Sequence, residues 1–210
     1  MKKYKIVKVK DFCNSRDYTQ FYNARLPICT ITSTVDVSRL VKFKNKHKFN
    51  AMMVYCVQMA GQKHDVCHYD FKDETSLIKY ETVTANFVLM DKSKELRYVT
   101  IPYFEHFKDF ESSYLTISQD CYENLKDNYV DDCAMVATSA VTNLDLLSMS
   151  SGYTDDFVKP FLVWGKIKKN HFKYYLNISF RFHHSIFAGR DIGDFFAILQ
   201  NEIKYFNPKN

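Results

Sequence analysis

Glycine and proline are scarce, with five and four residues in a chain of 210. So little of either excludes long flexible linkers and low-complexity tracts. The six cysteines, Cys13, Cys29, Cys56, Cys67, Cys121 and Cys133, form no CxxC pair, and no zinc-finger spacing is present. No Walker-type loop, GxGxxG or GxSxG element occurs. The common nucleotide-binding and serine-hydrolase readings therefore fall away. The longest apolar stretch, residues 51–60 with Gln58 inside it, is too short to span a bilayer. The start, MKKYKIVKVKDF, alternates lysine with apolar residues and lacks the apolar block of a signal peptide. The cysteines are thus expected as reduced thiols in a cytoplasmic protein.

What is present is ordinary for one globular domain: 46% hydrophobic and 25% charged residues. Tyrosine (15) and phenylalanine (18) raise the aromatic share to 16%, which predicts an aromatic-rich core or pocket. The net charge is +5. Lysines gather at Lys2, Lys3, Lys5, Lys8 and Lys10, and again at Lys42, Lys44, Lys46 and Lys48. The expected role is a solvated face, not a nucleic-acid surface, since no RNP-type motif accompanies them. A second reading has some of them facing an anionic small molecule, such as a nucleotide-bearing cofactor.

Periodicity predicts strands over residues 4–9, 28–37, 76–79, 82–90, 96–100, 134–141, 161–168 and 176–184. It predicts helices over 16–23, after Ser38 and Asn50 as N-caps, over 108–126, and after Gly189 with Asp191 as N-cap. The segment AMMVYCVQMAGQ is apolar around most of its circumference, the mark of a buried helix. Strands and helices do not alternate strictly, so α+β with a mixed sheet is expected. His64, Cys67, His68 and Asp70 are the tightest group of possible metal ligands. Their spacing fits no closed tetrahedral zinc pattern, and a surface loop without metal is the expectation. His183 and His184 are the sharpest feature. His184 shares its strand face with Leu176, Ile178, Phe180 and Phe182, whereas His183 shares the other with Asn177, Ser179 and Arg181. A strand end before Gly189 and a helix presents side chains at a site.

The segment FHHSIFAG resembles the signature of the chloramphenicol acetyltransferase family: two histidines, three variable residues, then Asp-Gly. His183, His184 and Gly189 match, and Ala188 stands where the family has aspartate. CTITSTVDVSRLVKFKNKHKFNAMMVYCVQMAG, FKDETSLIKYETV, SQDCYENL and PFLVWGK are also similar to family segments. The likeness extends over about residues 4–205. It implies one domain over 1–210, with a two-layer α+β sandwich around a mixed sheet. It also implies a homotrimer with sites at subunit interfaces, without membrane or nucleic-acid partners.

The resemblance further implies acetyl-CoA as co-substrate and a small hydroxyl-bearing acceptor, chloramphenicol or another, with antibiotic resistance as the family's associated role. His184 falls at the general base. Matching Ser139-Ala140 to the family's Ser-Ala pair puts Ser148 at the oxyanion donor, with Ser150 and Ser151 as neighbouring alternatives. Cys29 matches a pocket cysteine, and Phe87 opens a stretch expected to contact substrate. Arg16 matches an arginine that pairs with the motif aspartate, so Ala188 leaves it without its expected partner. Arg16 is then expected to turn to solvent, to another acid such as Asp191 or Asp194, or to an anionic ligand. The alternative function is a homologue that binds or sequesters a small, anionic or nucleotide-like ligand without turnover.

Overall fold

The structure, a computed structural model, describes residues 3–150 and 159–209. Its main sheet is mixed, in the order β2 (Ile28–Asp36), β10 (Lys173–His183), β8 (Phe161–Trp164), β7 (Ala134–Ala140), β5 (Val83–Met90) and β6 (Leu96–Ile101). β5, β7 and β8 run parallel, and the remaining pairings along this path are antiparallel. The short β9 (Lys168–Asn170) forms a hairpin with β10. A second sheet joins β1 (Tyr4–Lys8), β4 (Ser76–Tyr80) and β3 (Tyr69–Asp73).

Helices α2 (Ser38–Val41), α3 (Phe49–Lys63), α4 (Phe107–Asn124) and α5 (Gly189–Tyr205) pack around the main sheet, with α3, α4 and α5 resting on its strands. α3 buries nine residues, from Ala51 to Gly61, as its nearly all-round apolar surface requires. A Cβ at Gly61 would meet the methyls of Val136 and Val83 at 3.0 Å, so glycine here lets α3 sit close on β5 and β7. α5 buries Ile192, Phe195, Phe196, Leu199 and Ile203 as one stripe. The remaining helix, α1 (Ser15–Phe21), lies beside the strand end that carries the paired histidines.

Several local expectations are corrected. Ser38 is the first residue of α2 and not its cap, because its Oγ accepts the Tyr174 N–H at 2.8 Å. Asn50 lies inside α3 and donates to Tyr114 Oη at 2.9 Å. Asp191 lies in the first turn of α5, whose N-cap is Ala188. The run 161–168 breaks at Gly165 into β8 and β9. The region around His64 to Asp70 is a 3-10 turn, Asp65–His68, followed by β3. It is not a surface loop, since His64, Val66, Cys67 and His68 are all buried.

Candidate active site

β10 ends at His183, yet the pairing with the β2 side continues one step, with the His184 N–H donating to the Pro27 carbonyl at 2.8 Å. The chain then turns tightly, the amides of Ile186 and Phe187 both donating to the His183 carbonyl at 3.1 Å, and α5 begins at Gly189. His184 is half-buried and its ring stacks on Phe21 of α1, centroids 4.3 Å apart at 26°. Its Nδ1 is buried without a hydrogen-bond partner among the described residues. A ring so held is fixed in plane, with Nδ1 turned away from solvent.

His183 has a different environment. It is 3% exposed, its Nδ1 accepts the Ser185 N–H at 3.2 Å, and Phe71 meets it edge-on. Burial, with the Arg181 charge adding to it, lowers its pKa to about 4. Both faces of β10 are therefore covered at this end, where alternation alone placed His183 on a polar face.

Cys29 sits directly across from Phe182, and Phe182 lies 6.3 Å from the His184 ring. The structure thus gathers Cys29, Phe182, Phe21 and His184 at one strand end. Phe87 is not part of that group. It is 1% exposed and stacks on Tyr114 of α4 at 4.5 Å. β8 and β7 separate its strand from β10. Phe87 lines a cavity with Leu89, Met90 and Tyr114, apart from the His184 group.

Ser148 is also remote from His184 within the chain. It is exposed in the loop 141–150 that follows β7. That loop is tied to the middle of β10 and to the segment after β8: Asn177 Nδ2 donates to the Leu146 carbonyl at 2.7 Å, and Lys166 N–H to the Leu144 carbonyl at 2.8 Å. Gly165 permits the approach, since a Cβ there would meet Leu146 Cβ at 2.7 Å and the Leu144 carbonyl at 2.8 Å. Asn177 and His184 are seven residues apart on β10, or roughly 23 Å of strand. No described contact joins Ser148 to His184, and the loop that carries Ser148 is held near the middle of β10. Ser150 is exposed in the same loop, and Ser151 lies outside the described residues.

Arg16 is exposed on α1, in a shallow basic hollow with Lys8 and Lys10. Asp191, its candidate partner, instead accepts from Asn14 Nδ2 at 2.6 Å and from the Ala188 N–H at 2.7 Å. Sequence reasoning missed Asn14. Its only local signal was its position just before a short helix, where asparagine usually serves as a cap. The four possible metal ligands do not converge. His68 bridges the carbonyls of Tyr80 and Gln62, each at 2.9 Å, and Asp70 pairs with Lys159.

Two segments carry exposed lysines: the turn 42–48 exposes Lys42, Lys44, Lys46 and Lys48, and the stretch 166–173 exposes Lys166, Lys168, Lys169 and Lys173. The two segments are joined where Val37 N–H donates to the Tyr174 carbonyl at 2.8 Å and Tyr174 N–H to Ser38. No described helix is long and apolar enough to cross a membrane.

These features match a known group. A sequence profile for chloramphenicol acetyltransferase matches residues 2–200. No curated protein sequence matches the chain. A solved chloramphenicol acetyltransferase superposes with a TM-score of 0.81 at 17% identity, covering 96% of this chain and all of that one. A truncated catalytic core of the 2-oxoacid dehydrogenase multienzyme complex from Thermoplasma acidophilum gives 0.71 at 14%, covering 93% and 94%. The dihydrolipoamide acetyltransferase of Azotobacter vinelandii, studied for a serine, a histidine and an asparagine in its catalytic mechanism, gives 0.69 at 12%, covering 91% and 86%. The fold is that of acyltransferases, and this chain belongs to the chloramphenicol acetyltransferase family.

Proposed function

We propose that the chain, acting as one domain, is an acetyl-CoA-dependent O-acetyltransferase for a small hydroxyl-bearing acceptor. The observation that carries this reading is His184, half-buried at a strand end with its ring held against Phe21. His184 removes the acceptor's hydroxyl proton as the new C–O bond forms at the thioester carbonyl. Ser148 donates a hydrogen bond to the resulting oxyanion. Collapse breaks the C–S bond, and the departing thiolate takes the proton back from His184. A positioned base contributes about 10²–10⁴-fold, and one oxyanion donor about 3 kcal/mol. The lysines of the turn 42–48 and of the β9–β10 hairpin would hold the phosphates of CoA.

Since the loop of Ser148 is anchored away from the His184 turn, the site is shared between two protomers in this reading, and a closed homotrimer would supply three such pairings. Complementation tests this. His184→Ala and Ser148→Ala chains, each alone, should lose about 10²-fold or more in thiol release from acetyl-CoA. Dissociated and reassembled together in equal amounts, they should recover about a quarter of wild-type turnover, the share of interfaces left with both groups. No recovery from a mixed oligomer would sink the shared site. Ala188 in place of the motif aspartate favours a second reading, ligand binding without turnover. That reading gains if wild-type protein binds CoA but releases no thiol with any hydroxyl acceptor.

A further inference from the structure

We infer that Asn14, Asp191 and Arg190 form a brace that positions His184, built from different residues than the arginine–aspartate pair the family resemblance implies. The inference rests on His184 being the base. Asn14 Nδ2 donates to the Ile186 carbonyl at 2.9 Å and to Asp191 Oδ2 at 2.6 Å. The same carboxylate oxygen accepts the Ala188 N–H at 2.7 Å. Arg190 Nη2 donates to Asn14 Oδ1 at 2.7 Å. A primary amide has two donor hydrogens and one acceptor oxygen, and all are used here. Asn14 is 3% and Asp191 7% exposed. Charge-assisted bonds shielded from water in this way are among the stronger ones.

The brace acts on His184 from two sides. It ties down the carbonyl of residue 186 and the amide of residue 188, within the turn that follows His184. It also anchors α1, for which Asn14 is the N-cap residue and on which Phe21 stacks against the His184 ring. One side chain thus joins the loop bearing the histidine to the helix bearing its stacking partner. Arg16 cannot take this part. Two residues along a helix is about 200° of rotation, and Arg16 faces solvent.

The test uses full-length Asn14→Ala, Asn14→Asp and Arg190→Ala. Asn14→Asp keeps the shape but removes both donated bonds. Arg190→Ala removes only the outer contact and leaves the fold least disturbed. Leu199→Ala, a core truncation on α5, serves as a control for lost stability. Steady-state acetyl transfer is measured together with the ring-proton NMR signal of His184, which Phe21 shifts by its ring current. Both Asn14 variants should lower kcat by about tenfold or more, keep KM for acetyl-CoA within about twofold, and move the His184 signal toward that of a free imidazole. Arg190→Ala should act in the same direction but more weakly. Leu199→Ala should lose Tm yet keep kcat and the signal.

Unchanged kcat and signal in folded Asn14 variants would overturn the brace. So would a kcat loss that Leu199→Ala shares at equal Tm. If wild-type protein transfers no acetyl group to any acceptor, the enzymatic reading fails by itself, and the His184 signal still decides the brace. Ala188→Asp gives a further check. It adds a carboxylate close to Asp191 with Arg16 turned away, so Tm should fall, and a rise would mean that Arg16 reaches the site.

Discussion

Two adjacent histidines carry opposite environments, and the difference is measurable. His183 is buried against Phe71, and its folded pKa of about 4 lies below the ordinary histidine value. A folded state that resists protonation is stable above the unfolded pKa and loses stability as pH falls through the folded one. The window here is about pH 6.5 down to pH 4, and the full effect is on the order of 3 kcal/mol. Thermal denaturation followed across that range should show Tm falling as His183 is forced to take a proton. His183→Gln should flatten this limb of the profile, and an unchanged slope would assign it to another group. Below it, carboxylates with lowered pKa values take over, Asp91 at about 2 among them, held by Ser93, Glu95 and Arg97 despite its desolvation.

At the scale of the elements, placement of the Ser148 loop depends on the absence of a side chain. Gly165 ends β8, and the loop residues Leu144 and Leu146 pack where its Cβ would stand. Gly165→Ala should force the loop outward, with an overpacking cost of about 1–3 kcal/mol. If Ser148 is the oxyanion donor, kcat should fall as well, while the stacking of His184 on Phe21 should be undisturbed. A Gly165→Ala protein with wild-type kcat would separate Ser148 from the chemistry. In the proposed mechanism the exposed lysines of the turn 42–48 and of the β9–β10 hairpin hold the donor, so donor binding and oxyanion stabilisation would belong to one protomer and the base to its neighbour.

At the scale of the whole molecule, the proposed mechanism requires these halves to meet across an interface. Along β2, Thr32 Oγ1 contacts the buried Ser179 Oγ at 2.7 Å and Thr34 Oγ1 donates to Asn177 Oδ1 at 2.7 Å. Light scattering should give a mass near three times 24.8 kDa. A monomer at working concentrations would leave His184 and Ser148 without partners and end the proposed mechanism.

Much of the molecule was decided by local sequence. The β-branched run of β2, the alternating face of β10, the all-round apolar α3 and the stripe of α5 are one-dimensional patterns, and periodicity reads them directly. The paired histidines, with Gly189 after them, marked the site for the same reason. The tertiary structure decided which groups meet. It closed β3 over His183, where alternation predicted a polar face, because burial depends on what lands on a strand and not on the strand alone. It packed Phe87 against Tyr114 of α4, tied the loop of Ser148 to Asn177, and turned Arg16 outward. It also joined Asn14 to Asp191 across 177 positions of chain, a hydrogen bond with no local signature. Sequence periodicity carries the direction of each side chain relative to its own element, whereas contacts between elements depend on distances that only the packed chain sets.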